Sequence, residues 1–272
     1  MSEASKVYKA RTKWSDVGRY LHVLFKHLTL SQQISLLSYY LSAARHRGSG
    51  RASCKEQVFD FPKFKVYADP TGLSAAAMMF LAELLKKDPY KQLNSDSYPI
   101  DSCILDVGAN AGFFTLIRCS GNPRMNVTCI EPHPDTFGLL KRNIELNNLT
   151  DRIQIHNLAI GAENGTLTMA QRRHSSMLTP QSAAESDAQP IEVPMSTLDT
   201  VVEESGRTFM AAKIDVEGYE VEVLKGASHT LKTLKALIIE IHDTEAEDGC
   251  REILEEAGFK CEMDRAVMVA RR

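Results

Sequence analysis

Three short stretches of the 272-residue sequence set acidic side chains beside glycines or at the ends of apolar runs. The first is Ile104-Leu105-Asp106-Val107-Gly108-Ala109-Asn110-Ala111-Gly112-Phe113-Phe114-Thr115, a strand-like run entering a glycine turn and then a helix. Such a turn lets backbone approach a ligand closely, and Asn110 tolerates a positive φ within it. Gly108 and Gly112 stand four apart with Asn110 between them, which is not the Gly-x-Gly-x-x-Gly spacing that seats a pyrophosphate. Asp106 suits a cationic ligand better than a diphosphate, either by attracting an ammonium or by ordering the turn. A purely structural turn is the competing explanation.

The second stretch ends at Glu131-Pro132, about 20 residues further on, where an acid can accept both hydroxyls of a nucleoside ribose. NAD and S-adenosylmethionine both offer that ribose, so Glu131 does not separate them. The glycine pattern does, in favour of the sulfonium cofactor. The third stretch is Lys213-Ile214-Asp215-Val216-Glu217-Gly218-Tyr219-Glu220. Strand alternation sends Lys213, Asp215 and Glu217 to one side, provided extended geometry persists that far. One carboxylate can then steady a methionine ammonium while another receives a proton. His242, in Glu240-Ile241-His242-Asp243, joins them as a candidate base because an imidazole titrates near neutrality. The alternatives are a strand-end histidine without a chemical role, and carboxylates that only organise a turn.

The elements that must position these residues follow from the apolar rhythm. Strands are expected at Cys103–Val107, Val127–Glu131, Ile153–Leu158, Phe209–Val216 and Leu237–His242, with helices from Gly112, over Asp135–Asn148 and over Glu245–Ala257. This alternation predicts a doubly wound α/β domain with a parallel sheet and right-handed crossovers. Phe259–Met263 and Val267–Arg271 form a terminal hairpin, and Gly165–Pro194 an inserted hairpin and loop near the substrate mouth. Upstream, helical spacing from Trp14 to Ala44 predicts two amphipathic helices parted near Thr29–Ser31. The Gly-rich run Arg45–Ser53 reads as a connection. Val58–Tyr67 reads as a short β element, and Ser74 as the cap of a lid-like helix ending near Lys87. The expected divisions are 1–52, 53–100 and 101–272.

With 43% hydrophobic and 25% charged residues, the chain suits a sizeable globular unit plus an extension, and a fibre or a disordered tail is excluded. Residues 1–51 hold nine Lys or Arg against Glu3 and Asp16, a balance of +7 that leaves −10 for the remainder of a chain of net charge −3. That asymmetry fits either a solvated helical face or a surface for RNA, lipid headgroups or an anionic substrate. Cys54, Cys103, Cys119, Cys129, Cys250 and Cys261 include no Cys-x-x-Cys pair and read as thiols of a reducing cytoplasm. With neither a run of about 18 apolar residues nor a signal-peptide pattern, a cytoplasmic chain is expected.

The run from Ile104 to His242 resembles the FkbM family of methyltransferases. The resemblance is carried by Asp106–Gly112, Glu131-Pro132-His133-Pro134, Asn143–Asn147, Leu158-Ala159-Ile160-Gly161, Ser196–Asp199, Lys213–Gly218 and Leu224-Lys225-Gly226, in family order over half the chain. It implies a class I, Rossmann-like methyltransferase fold with a seven-stranded, mostly parallel sheet behind the helical extension. It also implies S-adenosylmethionine as donor and an oxygen of a small molecule or sugar as acceptor. By the same resemblance Asp106, Gly108, Asn110 and Gly112 surround the methionine portion, with Phe113 adjoining. Glu131 and Pro132 meet the ribose, and Leu158 and Ala159 border the adenine. Asp215, with a share in cofactor binding, and Glu217 fall at the reaction edge, with His242 beside them. No metal is expected, since no tight His/Asp/Glu set stands out. The rival readings are an RNA methyltransferase, favoured by the basic segment and Asn143–Asn147, and a binding protein on the same scaffold. A dinucleotide oxidoreductase ranks lower. A homodimer is compatible with the sequence.

Overall fold

The computed structural model of the protein describes residues 14–45, 55–70, 73–93, 103–170 and 190–272. The expected connection over residues 46–53, Cys54, the loop over residues 171–189 with Arg172–Ser176, and Lys6, Lys9, Arg11 and Lys13 lie outside the described residues.

Two helices open the structure, α1 (Trp14–Phe25) and α2 (Leu30–Arg45), parted where the periodicity predicts. Val23 and Leu24 of α1 and Leu36 and Tyr39 of α2 are buried, so each helix turns an apolar stripe inward. A hairpin of β1 (Gln57–Asp60) and β2 (Lys65–Ala68) follows, closed by the stacked rings of Phe61 and Phe64. In the next helix, α3 (Leu73–Lys86), Ser74 is not the cap that its type suggests. It sits inside the first turn, where its backbone N–H donates to the Asp69 carboxylate at 2.7 Å and its hydroxyl accepts from Asp69 N at 3.1 Å. The acid thus satisfies the helix donor, and the serine returns the bond.

The main sheet then begins with β3 (Cys103–Val107), α4 (Phe113–Gly121), β4 (Asn126–Ile130), α5 (Pro134–Leu146) and β5 (Ile153–His156). β6 (Ala159–Ile160), β7 (Gly165–Ala170) and β8 (Pro190–Ser196) form a separate three-stranded sheet, in which β7 and β8 are the inserted antiparallel hairpin. The expected third strand therefore ends at His156, two residues early, and Ala159–Ile160 beyond its expected end joins the small sheet through β8. The chain continues through α6 (Leu198–Ser205), β9 (Phe209–Ile214), α7 (Glu220–Lys225), α8 (Thr230–Thr233), β10 (Ala236–Glu240) and α9 (Thr244–Glu256). It closes with the hairpin β11 (Lys260–Asp264) and β12 (Val267–Arg271).

The seven-stranded order is β11-β12-β10-β9-β3-β4-β5, parallel except around β12. From β3 the chain moves outward through β4 and β5, then returns to lay β9 on the other flank of β3. That reversal makes a topological switch point between β3 and β9, where a crevice opens beyond the carboxyl ends of the strands. Strand alternation divides the core. Ile104 packs with the helices on one face, including Val23 and Leu24 of the extension, while Leu105 and Val107 pack with Leu224 and Ile239 on the other. The N-terminal helices therefore share an apolar core with the sheet.

The side chains of α5 join the β1–β2 hairpin to this body. Asn147 accepts from Lys65 N at 2.7 Å and donates to Lys65 O at 2.8 Å. Asn143 accepts from Tyr67 N and donates to Ala111 O in the glycine turn, both at 2.8 Å. These two asparagines, which suggested a nucleic-acid link, are committed to internal backbone groups.

Candidate active site at the switch point

The glycine turn is built by its neighbours. After β3, Gly108 N and Ala109 N both donate to Ile130 O at 2.9 Å, which folds the chain across the end of β4. Gly108, Asn110 and Gly112 take φ of 74, 51 and 83°, the left-handed region that glycine and asparagine enter at least cost. A Cβ at Gly108 would run into the backbone carbonyl of Asp215, so the turn and the end of β9 touch only because this side chain is absent.

Asp106 lies behind that turn. It is wholly buried, and its two oxygens face Lys213 Nζ at 3.2 Å and the Thr115 hydroxyl at 2.7 Å. Lys213 is equally buried and also donates to Gly108 O at 2.6 Å and pairs with Asp215 at 3.4 Å. Burial alone would weaken its charged form, but the carboxylates of Asp106 and Asp215 outweigh this and push its pKa above the ordinary lysine value. Of the two roles open to Asp106 from sequence, its partners fit the ordering of the turn.

The crevice is lined by Gly108, Asn110, Glu131, Pro132, Leu158, Ala159, Asp215 and Glu217, all singled out in the sequence. Asp106, Gly112, Phe113 and His242 are not part of that lining. Sequence reasoning missed Ile130, His133, Thr136, Leu167, Met169 and Tyr219, which also face the crevice. Leu167 and Met169 alternate along β7, so the inserted hairpin adds an apolar wall; its period-two pattern was the available signal.

Glu131 is fixed on one wall, its oxygens accepting from Asn110 N at 2.9 Å and His133 N at 3.0 Å. Burial lifts its carboxyl to about 7 against the opposing pull of those two N–H groups. Each oxygen keeps lone-pair capacity for a further donor.

On the opposite wall β9 stops at Ile214, two residues earlier than its apolar run suggests. Asp215 N still donates to Val107 O, but Glu217 and Gly218 then adopt φ of 53 and 97°. A left-handed conformation at a glutamate costs energy, and the turn directs Glu217 toward both the crevice and His242. Its carboxylate lies 3.3 Å from His242 Nε2. The other ring nitrogen, Nδ1, lies 2.7 Å from the buried carboxylate of Glu220. Burial lowers the His242 pKa, but Glu220 and then Glu217 overcome it and raise the ring to about 9. Burial and the nearby charge of Asp215 lift Glu217 to about 8, with His242 pulling the other way. Each of the two groups therefore holds its own proton at neutral pH. Glu240, bonded by the Tyr90 hydroxyl at 2.8 Å, is raised to about 7, chiefly by burial and Asp215.

His242 therefore stands behind Glu217 and not at the crevice, and its surroundings favour imidazolium over free base. The structure also gathers ligand atoms of Asp215, Glu217 and His242 within 4.8 Å of one another, a grouping that their spacing in sequence conceals.

This sheet order, with a crevice at the switch point framed by a glycine turn, Glu131 and the carboxylates beyond β9, is the class I, Rossmann-like methyltransferase arrangement. The chain belongs to the methyltransferase FkbM domain family, which matches residues 106–261. Methyltransferase 1 of Beauveria bassiana is 26% identical over 226 residues, covering 74% of this chain and 88% of that protein. Hexuronic acid methyltransferase AglP of Haloferax volcanii is 29% identical over 177 residues, covering 61% and 66% respectively. Methyltransferase sdnD of Sordaria araneosa is 24% identical over 215 residues, covering 65% and 83%.

Proposed function

We propose that this chain moves a methyl group from S-adenosylmethionine to a hydroxyl oxygen of a small-molecule or saccharide acceptor. The observation that carries the reading is the joining, in one crevice, of Gly108 and Glu131 on one wall with Asp215 and Glu217 on the other. The donor fits the groups present. The missing Cβ at Gly108 leaves room beside the turn, Glu131 offers acceptors for ribose hydroxyls, and Leu158 and Ala159 supply an apolar border for an adenine. Asp215 offers negative charge for an ammonium. Bound there, S-adenosylmethionine would supply an already activated methyl on a sulfonium centre.

The remaining tasks fall to the protein: alignment of the acceptor, exclusion of water and removal of one proton. Glu217 lines the crevice, and its raised pKa suits a base working near neutrality, so it takes the hydroxyl proton. His242, held through Nδ1 by Glu220, keeps its charge beside Glu217 and stabilises the carboxylate form that accepts that proton. An anionic hexuronate of the kind named for the Haloferax relative would meet the Asp215 carboxylate as a like charge. An uncharged, hydroxyl-bearing acceptor suits this crevice better.

Calorimetry checks the cofactor. The folded chain is expected to take up S-adenosylmethionine and its demethylated product, and Gly108→Ala to take up neither, because the methyl displaces the end of β9. Absence of uptake by the folded wild-type chain would falsify the reading. The grouping of Asp215, Glu217 and His242 could instead hold a divalent cation. Turnover that survives a chelator supports Glu217 as a metal-free base, and turnover abolished by the chelator and restored by added magnesium supports the cation.

A further inference from the structure

Among the described residues, four of the five large apolar side chains most open to solvent lie on one helix. Leu30, Ile34, Leu37 and Leu41 of α2 are 73, 63, 43 and 46% exposed. Their spacing of four, three and four places them in a single stripe. The helix is not free to roll and hide it. Leu36 and Tyr39 are buried on the opposite face, the Tyr39 hydroxyl donates to Asp69 O at 2.9 Å, and the Gln33 amide donates to Phe25 O and Leu28 O. Ser31 and Ser38 are the other exposed residues of the helix interior, and no charged residue occurs from Leu30 through Ala44.

This neutral apolar stripe belongs to a strongly cationic stretch of chain, residues 1–51 carrying +7 while the remainder carries −10. Lys26 and Leu30 are both exposed at the turn joining α1 to α2. Three occupants can be compared on that chemistry. RNA would satisfy the cations but leave four aliphatic side chains against a polyanion, with no aromatic platform for bases. A second copy would cover the stripe but bring two +7 segments together. A surface of anionic lipid answers both features, its acyl boundary receiving the leucines and isoleucine and its headgroups the cations. Among the described residues no helix is long and apolar enough to cross a membrane, so the contact is peripheral.

We propose that the exposed face of α2, a helix flanked in sequence by basic residues, is a docking surface for anionic lipid. The proposal is independent of the methyl-transfer reading. Co-sedimentation of the full chain with vesicles tests it, using phosphatidylcholine alone and phosphatidylcholine mixed with phosphatidylglycerol. The chain is expected to partition onto the mixed vesicles, to prefer them clearly over phosphatidylcholine, and to be released as salt rises. Ile34→Ser with Leu37→Ser should lower partitioning about tenfold or more. Leu30→Ser with Leu41→Ser serves as an independent pair, and unchanged thermal melting shows that each variant is folded. Failure to bind the mixed vesicles, or equal binding by folded variants and wild type, overturns the proposal. So does a concentration-dependent dimer that the same substitutions dissolve, or salt-sensitive RNA binding in place of vesicle binding.

Discussion

The ends of β3 and β9 lie side by side, each carries an aspartate, and their surroundings give the two acids opposite fates. Asp106 and Lys213 are direct partners in the parallel register, so the lysine of one strand neutralises the acid of the other within the sheet. The Thr115 hydroxyl takes the remaining oxygen, leaving Asp106 closed to ligand. Past the end of β9, the cation paired with Asp215 is the same lysine, already shared, while Glu217 pairs among the described residues with His242. Those acids remain open to the crevice. Whether a strand-end carboxylate holds the fold or serves a ligand is decided by the donors on the adjacent strand.

Lys213 gives the sharpest way to break this contrast. Lys213→Ala leaves Asp106 buried without its counter-charge, and breaking one side of a buried pair costs about 3–5 kcal/mol. Urea denaturation should register that loss, together with a weakened turn, because Gly108 O loses its donor as well. A loss below about 1 kcal/mol, typical of exposed pairs, would show that the two strand ends are not distinguished by this lysine.

On the open side the effect should appear in rate and not in stability. Glu217→Gln keeps the shape of the side chain but removes its capacity to take a proton, and turnover should fall on the order of 10²-fold or more. Denaturation midpoint and cofactor affinity should change little. In the wild type the rate should climb as pH rises through about 8, because the active form of Glu217 is the deprotonated one. A flat profile, or full turnover in the glutamine variant, would move the base to another group.

Much of this architecture could be read from the residues alone. The strand–helix alternation beyond residue 102, the terminal hairpin and the two N-terminal helices follow from local periodicity and appear in the fold. The glycine turn was legible because Gly108, Asn110 and Gly112 are residue types that accept a positive φ. What escaped were features set by cross-strand register and by turns. The Asp106–Lys213 pair depends on which residues of β3 and β9 are neighbours. The division of His242 from the crevice depends on Glu217 turning through a left-handed conformation that its type does not favour. Glu220, which holds the His242 ring, sits in the first turn of α7 and looks in sequence like an ordinary acidic helix start. Ser74 was misassigned for a related reason, since its partner Asp69 lies on the far side of a turn.

The finest test concerns how the His242 charge sets the proton affinity of Glu217. The imidazolium favours the ionised form of Glu217 and so holds its pKa down against burial and Asp215. His242→Asn removes that charge, and the rising limb of the pH–rate profile should move to higher pH by about one unit, within the range an adjacent opposite charge commands. Glu220→Gln should move it less, because two effects oppose each other. The ring loses the carboxylate that does most to raise its pKa and sheds its charge at lower pH, while Glu217 loses a like charge that also lifts its own pKa. The order matters as much as the direction. If Glu220→Gln displaced the limb upward while His242→Asn left it in place, the ring would not be what holds the Glu217 pKa down, and the description of His242 as the support behind Glu217 would be wrong.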